Sequence, residues 1–273
     1  MRTDRLPRFG LAHLTALEVP PLDLVPLAAR AGFALIGLRL HPAHPGGVAY
    51  DLPLGSAALA EMRRRLDGEG TGVHDIEFIT IGPDFAAAAI VPVLEQAAAL
   101  GAACISACGD DPDPARQAAG FAALCDAAAG FGLGVDLEWM GWRPVATLAD
   151  ALRTVRAAAR PNGAILVDAL HLTRNGAVPA DLRGLDPALI RPALIRTVQI
   201  CDAGATPPAT REAIIAEARG GRLLPGTGAL PLRDLLDALP DHAVLSCEIP
   251  MANPSPPDER AKQVFAAMAR LFA

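Results

Sequence analysis

The sequence lacks the features that mark membrane and secreted proteins. No apolar run approaches the roughly 20 residues that a helix needs to cross a bilayer, because charged residues or prolines interrupt the longest runs. The first residues, 1–5, include an acid and lead into a strand-like segment, without the apolar core and small-residue cleavage site of a secretory signal. We therefore expect a soluble, cytoplasmic protein that does not enter a membrane.

Cysteine is scarce and follows no disulfide or metal-binding pattern. The five cysteines are an odd number and lie in apolar segments. No two of them form a CxxC pair, so the sequence indicates neither a disulfide framework nor a thiolate zinc site. We expect them to be buried thiols.

The sequence also lacks an excess of positive charge. Asp and Glu number 30 against 24 Lys and Arg, which gives a formal net charge of −6. Such a balance repels a phosphate backbone, so no nucleic-acid partner is expected. An endonuclease that holds a metal cluster would need a basic groove and more than the six histidines present. A small polar molecule is the expected partner.

What the sequence does contain is a regular alternation of two kinds of segment. Apolar, β-branched runs typical of buried strands recur about every 30 residues, at 9–14, 34–40, 72–79, 103–107, 134–138, 164–168, 196–200 and 243–248. Segments with helical spacing lie between them, including 55–66, 85–100, 113–130, 147–159, 230–239 and 258–272. Because parallel neighbours need a crossover connection, this alternation predicts a parallel sheet covered by helices.

Eight such units predict an α/β protein that forms a single-domain (β/α)₈ TIM barrel over residues 1–273. No Ser/Gly linker or change of composition divides the chain. The competing architecture, a doubly wound open sheet, calls for a Gly-rich phosphate-binding turn after the first strand, and residues 15–20 contain no glycine. In a barrel, the C-terminal ends of the strands hold the active site.

Four late strands each end in a side chain whose oxygen could bind a metal ion: Glu138, Asp168, Gln199 and Glu248. At equivalent positions of consecutive strands these side chains would converge, and three carboxylates in one place repel one another. A divalent cation between them would remove that repulsion. Oxygen ligands favour Mn²⁺ or Mg²⁺, and the nearby His171 makes Zn²⁺ or Co²⁺ the alternatives.

Each of these residues also has an ordinary alternative role. Asp168 could cap the helix that follows it, and Gln199 could close a loop through hydrogen bonds. Trp139, beside the first glutamate, could form a wall of the pocket or belong to the core.

Other polar residues fall at the same predicted rim. Arg219 and Arg222 precede a Pro-Gly turn, where either could reach a carboxylate, phosphate or hydroxyl group of a substrate. Arg39 follows the second strand and Glu77 lies in the third. Both side chains point to this rim if the alternation of side chains along each strand continues to these positions. These four are the candidate substrate-binding residues.

Five segments together resemble the xylose isomerase-like TIM barrels, the superfamily of sugar isomerases, ketose 3-epimerases, inosose dehydratases and 3-dehydroshikimate dehydratases. They are the Glu138 strand, Asp168-Ala-Leu-His171, Val198-Gln-Ile-Cys-Asp202, Pro225-Gly-Thr-Gly228 and the Glu248 strand. The resemblance implies that Glu138, Asp168, Gln199 and Glu248 hold the metal. It also implies that His171 faces the substrate, and that Glu138, Glu248 and His171 are the catalytic residues.

The resemblance implies a divalent-metal-dependent isomerase or epimerase that forms an enediolate from a small sugar or cyclic hydroxy-ketone. It also implies a homo-oligomer. Gln199 departs from the histidine that the epimerases usually have there and resembles some of the dehydratases. A dehydratase of the 3-dehydroshikimate or inosose type therefore stays open as an alternative, with His171 or Glu138 as its base. A non-catalytic sugar-binding barrel is the second alternative.

Overall fold

All eight predicted strands form, and they close into a parallel barrel in chain order. The computed structural model describes residues 8–183, 185 and 194–273. The strands are β1 (Phe9–Leu11), β2 (Leu35–Leu38), β3 (Gly72–Ile81), β4 (Cys104–Gly109), β5 (Gly134–Glu138), β6 (Gly163–Asp168), β7 (Ile195–Ile200) and β8 (Val244–Cys247). β8 pairs with β1 and completes the circle. The predicted single-domain (β/α)₈ barrel is confirmed.

Helices surround the barrel and connect successive strands. They are α1 (Pro21–Ala31), α2 (Ala57–Glu69), α3 (Val91–Ala99), α4 (Pro114–Ala129), α5 (Leu148–Ala158), α6 (Ala169–Arg174), α7 (Pro179–Arg183), α8 (Arg211–Gly220), α9 (Leu232–Ala238) and α10 (Pro257–Arg270). Four of them, α1, α6, α7 and α8, were not among the predicted segments. In α1, Pro26 interrupts the helical pattern, and α6 and α7 are too short to show a period.

The side chains that begin several helices explain where they start. Ser56, Asp113 and Thr210 each accept a hydrogen bond from a backbone N–H in the first turn of the following helix. Thr147 and Asp150 form a reciprocal capping box at the start of α5. These caps fix the helix N-termini immediately after the loops at the mouth of the barrel.

The interior of the barrel is more polar than the apolar layers that usually fill this fold. Thr197 Oγ1 donates to Asp136 Oδ2 at 2.6 Å, and His74 Nε2 lies 2.8 Å from the same hydroxyl. Arg196 Nη1 donates to Asp136 Oδ1, also at 2.6 Å. Burial, followed by nearby Arg196, lowers the pKa of His74 to about 4, so its ring is neutral. A satisfied polar network therefore occupies the barrel below its mouth.

One further expectation concerns the cysteines. All five cysteines are buried and unpaired, as expected from their apolar surroundings. Among the described residues, no helix has the length and apolar character that crossing a membrane requires.

Candidate active site

A cavity of about 270 Å³ opens at the C-terminal ends of the strands. Its lining includes the predicted site residues Arg39, Glu77, Glu138, His171, Gln199, Arg219, Arg222 and Glu248. Asp168 does not line the cavity and is fully buried. The structure therefore brings almost all of the predicted side chains to one place, as expected for side chains at the C-terminal rim of a barrel.

The closest group of metal-binding atoms comes from Glu138, Asp168 and His171. One atom from each residue lies within 4.8 Å of the other two. Asp168 Oδ1 accepts the backbone N–H of His171 at 2.9 Å and so caps α6. The capping role considered for Asp168 therefore exists alongside its place in this group. His171 Nε2 is 3.7 Å from Glu138 Oε1.

Gln199 and Glu248, from neighbouring strand ends, complete the predicted ligand set. Gln199 Nε2 donates to Glu248 Oε1 at 2.9 Å. The other amide atom, Gln199 Oε1, is buried and accepts no hydrogen bond from any described residue. A buried acceptor without a partner is unusual in a native protein. Buried carboxylates together with an unpartnered amide oxygen suit a hard divalent cation, so the residues present fit a metal ion.

Arg222 lines the cavity and also makes contacts with the protein that the sequence did not predict. Its Nη1 donates to Asp168 Oδ2 at 2.5 Å, and its Nη2 lies 2.9 Å from Glu248 Oε2. Its Nε donates to the carbonyl oxygen of Ala218. The buried guanidinium therefore supplies positive charge to two of the three clustered acids. Substrate binding by Arg222 stays a prediction, and in the structure most of its donors are engaged with the protein.

The environment sets unequal pKa values on the clustered acids. Burial raises the pKa of Glu138 well above its usual value, and the nearby Glu248 carboxylate adds to the shift. Burial also raises the pKa of Glu248 to about 7, although Arg222 opposes the shift. Burial acts the same way on Asp168, but Arg222 and His171 hold the pKa of this carboxyl below its usual value. The cluster thus combines an ionised acid with two that can carry a proton.

His171 is a neutral base in this setting. Burial lowers its pKa to about 4, despite the opposing influence of Asp168. A neutral imidazole can accept a proton or donate its single N–H, whereas a histidinium could only donate.

Glu77 and Arg39 form a buried ion pair at one side of the cavity. Glu77 Oε1 accepts the backbone N–H of His13 at 2.6 Å. Its Oε2 accepts the backbone N–H of Leu14 at 3.3 Å and the guanidinium Nη2–H of Arg39 at 3.0 Å. The Arg39 guanidinium lies over the Phe78 ring, 5.1 Å from its centre. Glu77 therefore positions Arg39 and the short helical turn that follows β1. Arg39 Nε is buried without a partner in the described part of the chain.

Asp202 organises the loop that delivers Arg222. Its Oδ2 accepts the backbone N–H groups of Gly226 and Gly228, both at 2.9 Å, and its Oδ1 accepts two further backbone N–H groups. Its backbone pairs in antiparallel fashion with Leu223. A Cβ at Gly228 would lie 2.4 Å from Asp202 Oδ1. The Pro-Gly-Thr-Gly segment is thus a turn wrapped around one carboxylate.

The prediction missed several cavity residues on loops. The tryptophan that faces the cavity is Trp142, whose ring meets that of His171 edge-on with centres 5.2 Å apart. Trp139 is fully buried in the core. Arg143 also lines the cavity and donates to Asp110 at 2.9 Å. Other lining residues that the sequence did not single out are Leu14, Leu17, Ala43, His44, Gly47, Val48, Phe78, Ser106, Met140 and Ala218. Most of them lie on loops, which have no period from which the sequence could place them, whereas Phe78, Ser106 and Ala218 lie in β3, β4 and α8.

Comparison with known proteins agrees with this geometry. The profile of the family described as "Xylose isomerase-like TIM barrel" matches residues 25–271. The chain belongs to this family. None of the curated proteins compared with this xylose isomerase-like barrel matches it.

Several solved structures share the fold of this xylose isomerase-like barrel. A xylose isomerase-like TIM barrel/4-hydroxyphenylpyruvate dioxygenase fusion protein is 18% identical, with a TM-score of 0.77 over 98% of this chain, which spans 43% of that protein. The IolI protein with a bound zinc atom is 18% identical, with a TM-score of 0.75 over 97% of both chains. A D-allulose 3-epimerase from Methylomonas sp. is 16% identical, with a TM-score of 0.67 over 99% of this chain and 100% of the other. At these identities the likeness shows the fold alone.

Removal of the Asp202 carboxylate tests its role as the organiser of the loop. Asp202→Ala leaves four backbone N–H groups without their acceptor, two of them on the buried Ala203 and Leu230, so we expect the free energy of unfolding to fall by about 2 kcal/mol. Urea unfolding measures this change, with the exposed Asp241→Ala as the control. An unchanged unfolding midpoint for Asp202→Ala would contradict the assignment.

The raised pKa of Glu248 predicts how stability depends on pH when no metal is bound. The pKa is about 7 in the folded chain against 4.5 ordinarily, so the folded state keeps a proton that the unfolded chain has lost. The free energy of unfolding should therefore decrease as the pH rises from about 4.5 to about 7. Urea unfolding across this range, with a chelator present, measures the decrease.

The matched variants for that measurement are Glu248→Gln and the exposed Glu69→Gln. Glu248→Gln should make the decline shallower because it removes one of the titrating groups, while Glu69→Gln should leave it unchanged. An equally steep decline in Glu248→Gln would show that Glu248 does not titrate in this range.

Proposed function

We propose that this chain is a divalent-metal-dependent isomerase or epimerase that acts through an enediolate on a small hydroxy-carbonyl substrate. The observation that carries the proposal is the pair of buried carboxyl groups, Glu138 and Glu248, that line one cavity from different strands. Burial raises the pKa of both carboxyl groups in the metal-free chain, and carboxyl groups of this kind serve as acid–base groups in catalysis. Solved structures of D-allulose and D-psicose 3-epimerases share the fold.

The metal ion would be held by Glu138, Asp168, Gln199 and Glu248. When bound, it would polarise the substrate carbonyl and make the neighbouring C–H more acidic. Oxygen ligands favour Mn²⁺ or Mg²⁺. The place of His171 in the closest ligand group and the zinc atom in the IolI structure support Zn²⁺ or Co²⁺ as alternatives.

The side chains of this chain would then move the protons. One of Glu138 and Glu248, as the carboxylate, removes the proton from the carbon next to the carbonyl group. The other, as the acid, returns a proton to the opposite face of the same carbon, which gives an epimer. To give an isomer, the proton returns to the former carbonyl carbon, and the hydroxyl hydrogen of the neighbouring carbon passes to the former carbonyl oxygen. The neutral His171 can hydrogen-bond to a substrate hydroxyl, and Trp142 shields that side of the cavity from water.

A dehydratase of the 3-dehydroshikimate or inosose type is the second candidate. It is favoured by Gln199, because the epimerases usually have histidine at this position. The Gln199 amide donates a hydrogen bond to Glu248. It is also favoured by Arg39, Arg143 and Arg219 in the cavity lining, which would suit a substrate carboxylate. In this reaction His171 or Glu138 would take the proton, and the β-hydroxyl group would leave as water after protonation. A barrel that binds sugar without catalysis is the third candidate.

One experiment separates these candidates. The metal content of the purified protein is measured by plasma mass spectrometry, and solvent-deuterium exchange is followed on ketoses, inososes and 3-dehydroshikimate with Mn²⁺ or Mg²⁺ restored. We expect one substrate to exchange its α proton, and its product identifies an epimerase or a dehydratase. Sugar binding without exchange would support the non-catalytic candidate. The four-ligand site would be wrong if no divalent metal binds.

Two amide variants test the proposed acid–base pair. Glu138→Gln and Glu248→Gln should each lower turnover by about 100-fold or more, because proton transfer at that position is lost. Both should also weaken metal binding while the fold, followed by circular dichroism, is retained. Glu69→Gln on the exposed face of α2 is the control. Full activity in either variant would contradict the proposed acid–base mechanism.

Gln199→His tests the third ligand. The variant should still bind a metal but should shift its preference toward Zn²⁺ or Co²⁺, since imidazole suits these ions better than an amide oxygen does. Competition between Mn²⁺ and Zn²⁺ at equilibrium measures the shift. An unchanged preference would show that Gln199 is not a ligand.

The family supports a small-molecule substrate for this chain. A cytoplasmic location, a homo-oligomeric state, the absence of a nucleic-acid partner and a single domain over residues 1–273 stay predictions from the sequence.

A further inference from the structure

The positive charge of Arg222 lies against the acids that are proposed to hold the metal ion, and no step of the mechanism above uses it. The side chain is buried at the mouth of the barrel. Its Nη1 lies 2.5 Å from Asp168 Oδ2, and its Nη2 lies 2.9 Å from Glu248 Oε2. The guanidinium group and the metal ion would therefore share two carboxyl groups.

Backbone contacts hold the guanidinium group beside these acids. Its Nε donates to the carbonyl oxygen of Ala218 at 2.9 Å, and its Nη1 donates to the carbonyl oxygen of Glu248 at 3.3 Å. The backbone N–H of Arg222 donates to the carbonyl oxygen of Pro250, also at 3.3 Å. Since none of these contacts uses a carboxyl oxygen, they keep Arg222 near the cluster whether or not the acids bind a metal ion. Arg222 is thus a fixed charge.

The two acids do not depend on Arg222 alone for their orientation. Asp168, the last residue of β6, accepts the backbone N–H of His171 through its Oδ1 at 2.9 Å. Glu248, directly after β8, accepts from Gln199 Nε2 through its Oε1, also at 2.9 Å. Loss of the guanidinium group would therefore remove a charge and leave each acid with a hydrogen bond that orients it.

The charges of the cluster balance when a divalent ion is added to Arg222. Glu138, Asp168 and Glu248 carry three negative charges when ionised, and Gln199 carries none. A divalent ion supplies two positive charges and Arg222 supplies the third. Burial leaves little water or salt to screen them, so Arg222 and a bound cation repel one another. This repulsion increases with the charge of the ion.

The other arginines of the cavity bear less directly on the metal site. Arg39 forms an ion pair with Glu77, and Arg143 forms one with Asp110, so each pair is neutral as a whole. Arg219 is exposed, and water and salt screen an exposed charge. Among the arginines that the structure describes, Arg222 is the one in contact with proposed metal ligands.

We propose that Arg222 shares the carboxyl cluster with the metal ion, as a built-in positive charge that weakens metal binding and matches the site to a divalent ion. The proposal rests on the proposed function only for the position of the metal site, and not for the reaction. A cluster without this charge would bind cations more tightly and would gain most for a trivalent ion.

Equilibrium binding of Mn²⁺ tests the effect on affinity without any substrate. Arg222→Met and Arg222→Gln remove the charge, and the second keeps an N–H donor. Each should bind Mn²⁺ at least about 10-fold more tightly than the wild type, because the repulsion is gone. Arg222→Lys keeps the charge and should stay near the wild-type affinity. Electron paramagnetic resonance measures the free ion at about pH 8, where protons compete little for carboxyl groups.

Arg219→Met is the matched control, because it removes an exposed charge from the same cavity. Its affinity for Mn²⁺ should stay close to that of the wild type. Unchanged or weaker binding in both neutral variants of Arg222 would overturn the proposal, as would an equal gain in Arg219→Met or Arg222→Lys. Absence of Mn²⁺ binding in the wild type and in all variants would overturn it as well.

A trivalent ion tests whether Arg222 matches the charge of the site. Binding of Tb³⁺ is followed by the luminescence of the ion, excited through Trp142, which lines the cavity. The neutral variants should gain more affinity for Tb³⁺ than for Mn²⁺, since the repulsion from Arg222 acts on a higher charge. An equal or smaller gain would contradict the matching of charge.

Thermal unfolding covers the case in which a neutral variant does not fold without metal. Mn²⁺ supplies positive charge in place of the guanidinium group, so it should raise Tm more in Arg222→Met and Arg222→Gln than in the wild type. Failure of both variants to fold with Mn²⁺ present would overturn the proposal. The reaction is tested separately, because the proposed function fails if no substrate exchanges its α proton, whatever the metal affinities are.

Discussion

The structure depends on how three carboxyl groups are buried side by side at the mouth of the barrel. Glu138, Asp168 and Glu248 lie at or directly after strand ends, and ionised together they would repel one another strongly. Arg222 neutralises part of this charge through ion pairs with two of them. The rest is removed by protonation or, as we propose, by a divalent cation. The loop around Asp202 exists in this form because it must carry Arg222 into the cluster.

The same electrostatic balance shapes the chemistry that the site can perform. Arg222 keeps Asp168 ionised, whereas burial leaves Glu138 and Glu248 able to bind and release a proton. Acids of similar chemistry thus receive different roles from their surroundings. The barrel interior beneath them continues the pattern: burial lowers the pKa of His74 to about 4 and raises the pKa of Asp75 well above its usual value. A site with this range of protonation states suits proton transfer next to a carbonyl group.

The sequence predicted the barrel because buried strands repeat regularly, and it predicted the strand-end residues because their position follows from strand phase. It could not predict the partners of Arg222, since these depend on antiparallel contacts of residues 221–223 with distant segments. It favoured neither role for Trp139, and the loop residue Trp142 faces the cavity instead. Ser106 was missed because a single serine inside the apolar run of β4 carries no signal that it lines the cavity.

The most direct test of the central claim is a crystal structure of the protein soaked with Mn²⁺, with the ion located by its anomalous scattering. The account predicts one ion in contact with oxygen atoms of Glu138, Asp168, Gln199 and Glu248, at the mouth of the cavity. An ion bound elsewhere, or none at the mouth while Arg222 still pairs with both acids, would contradict it.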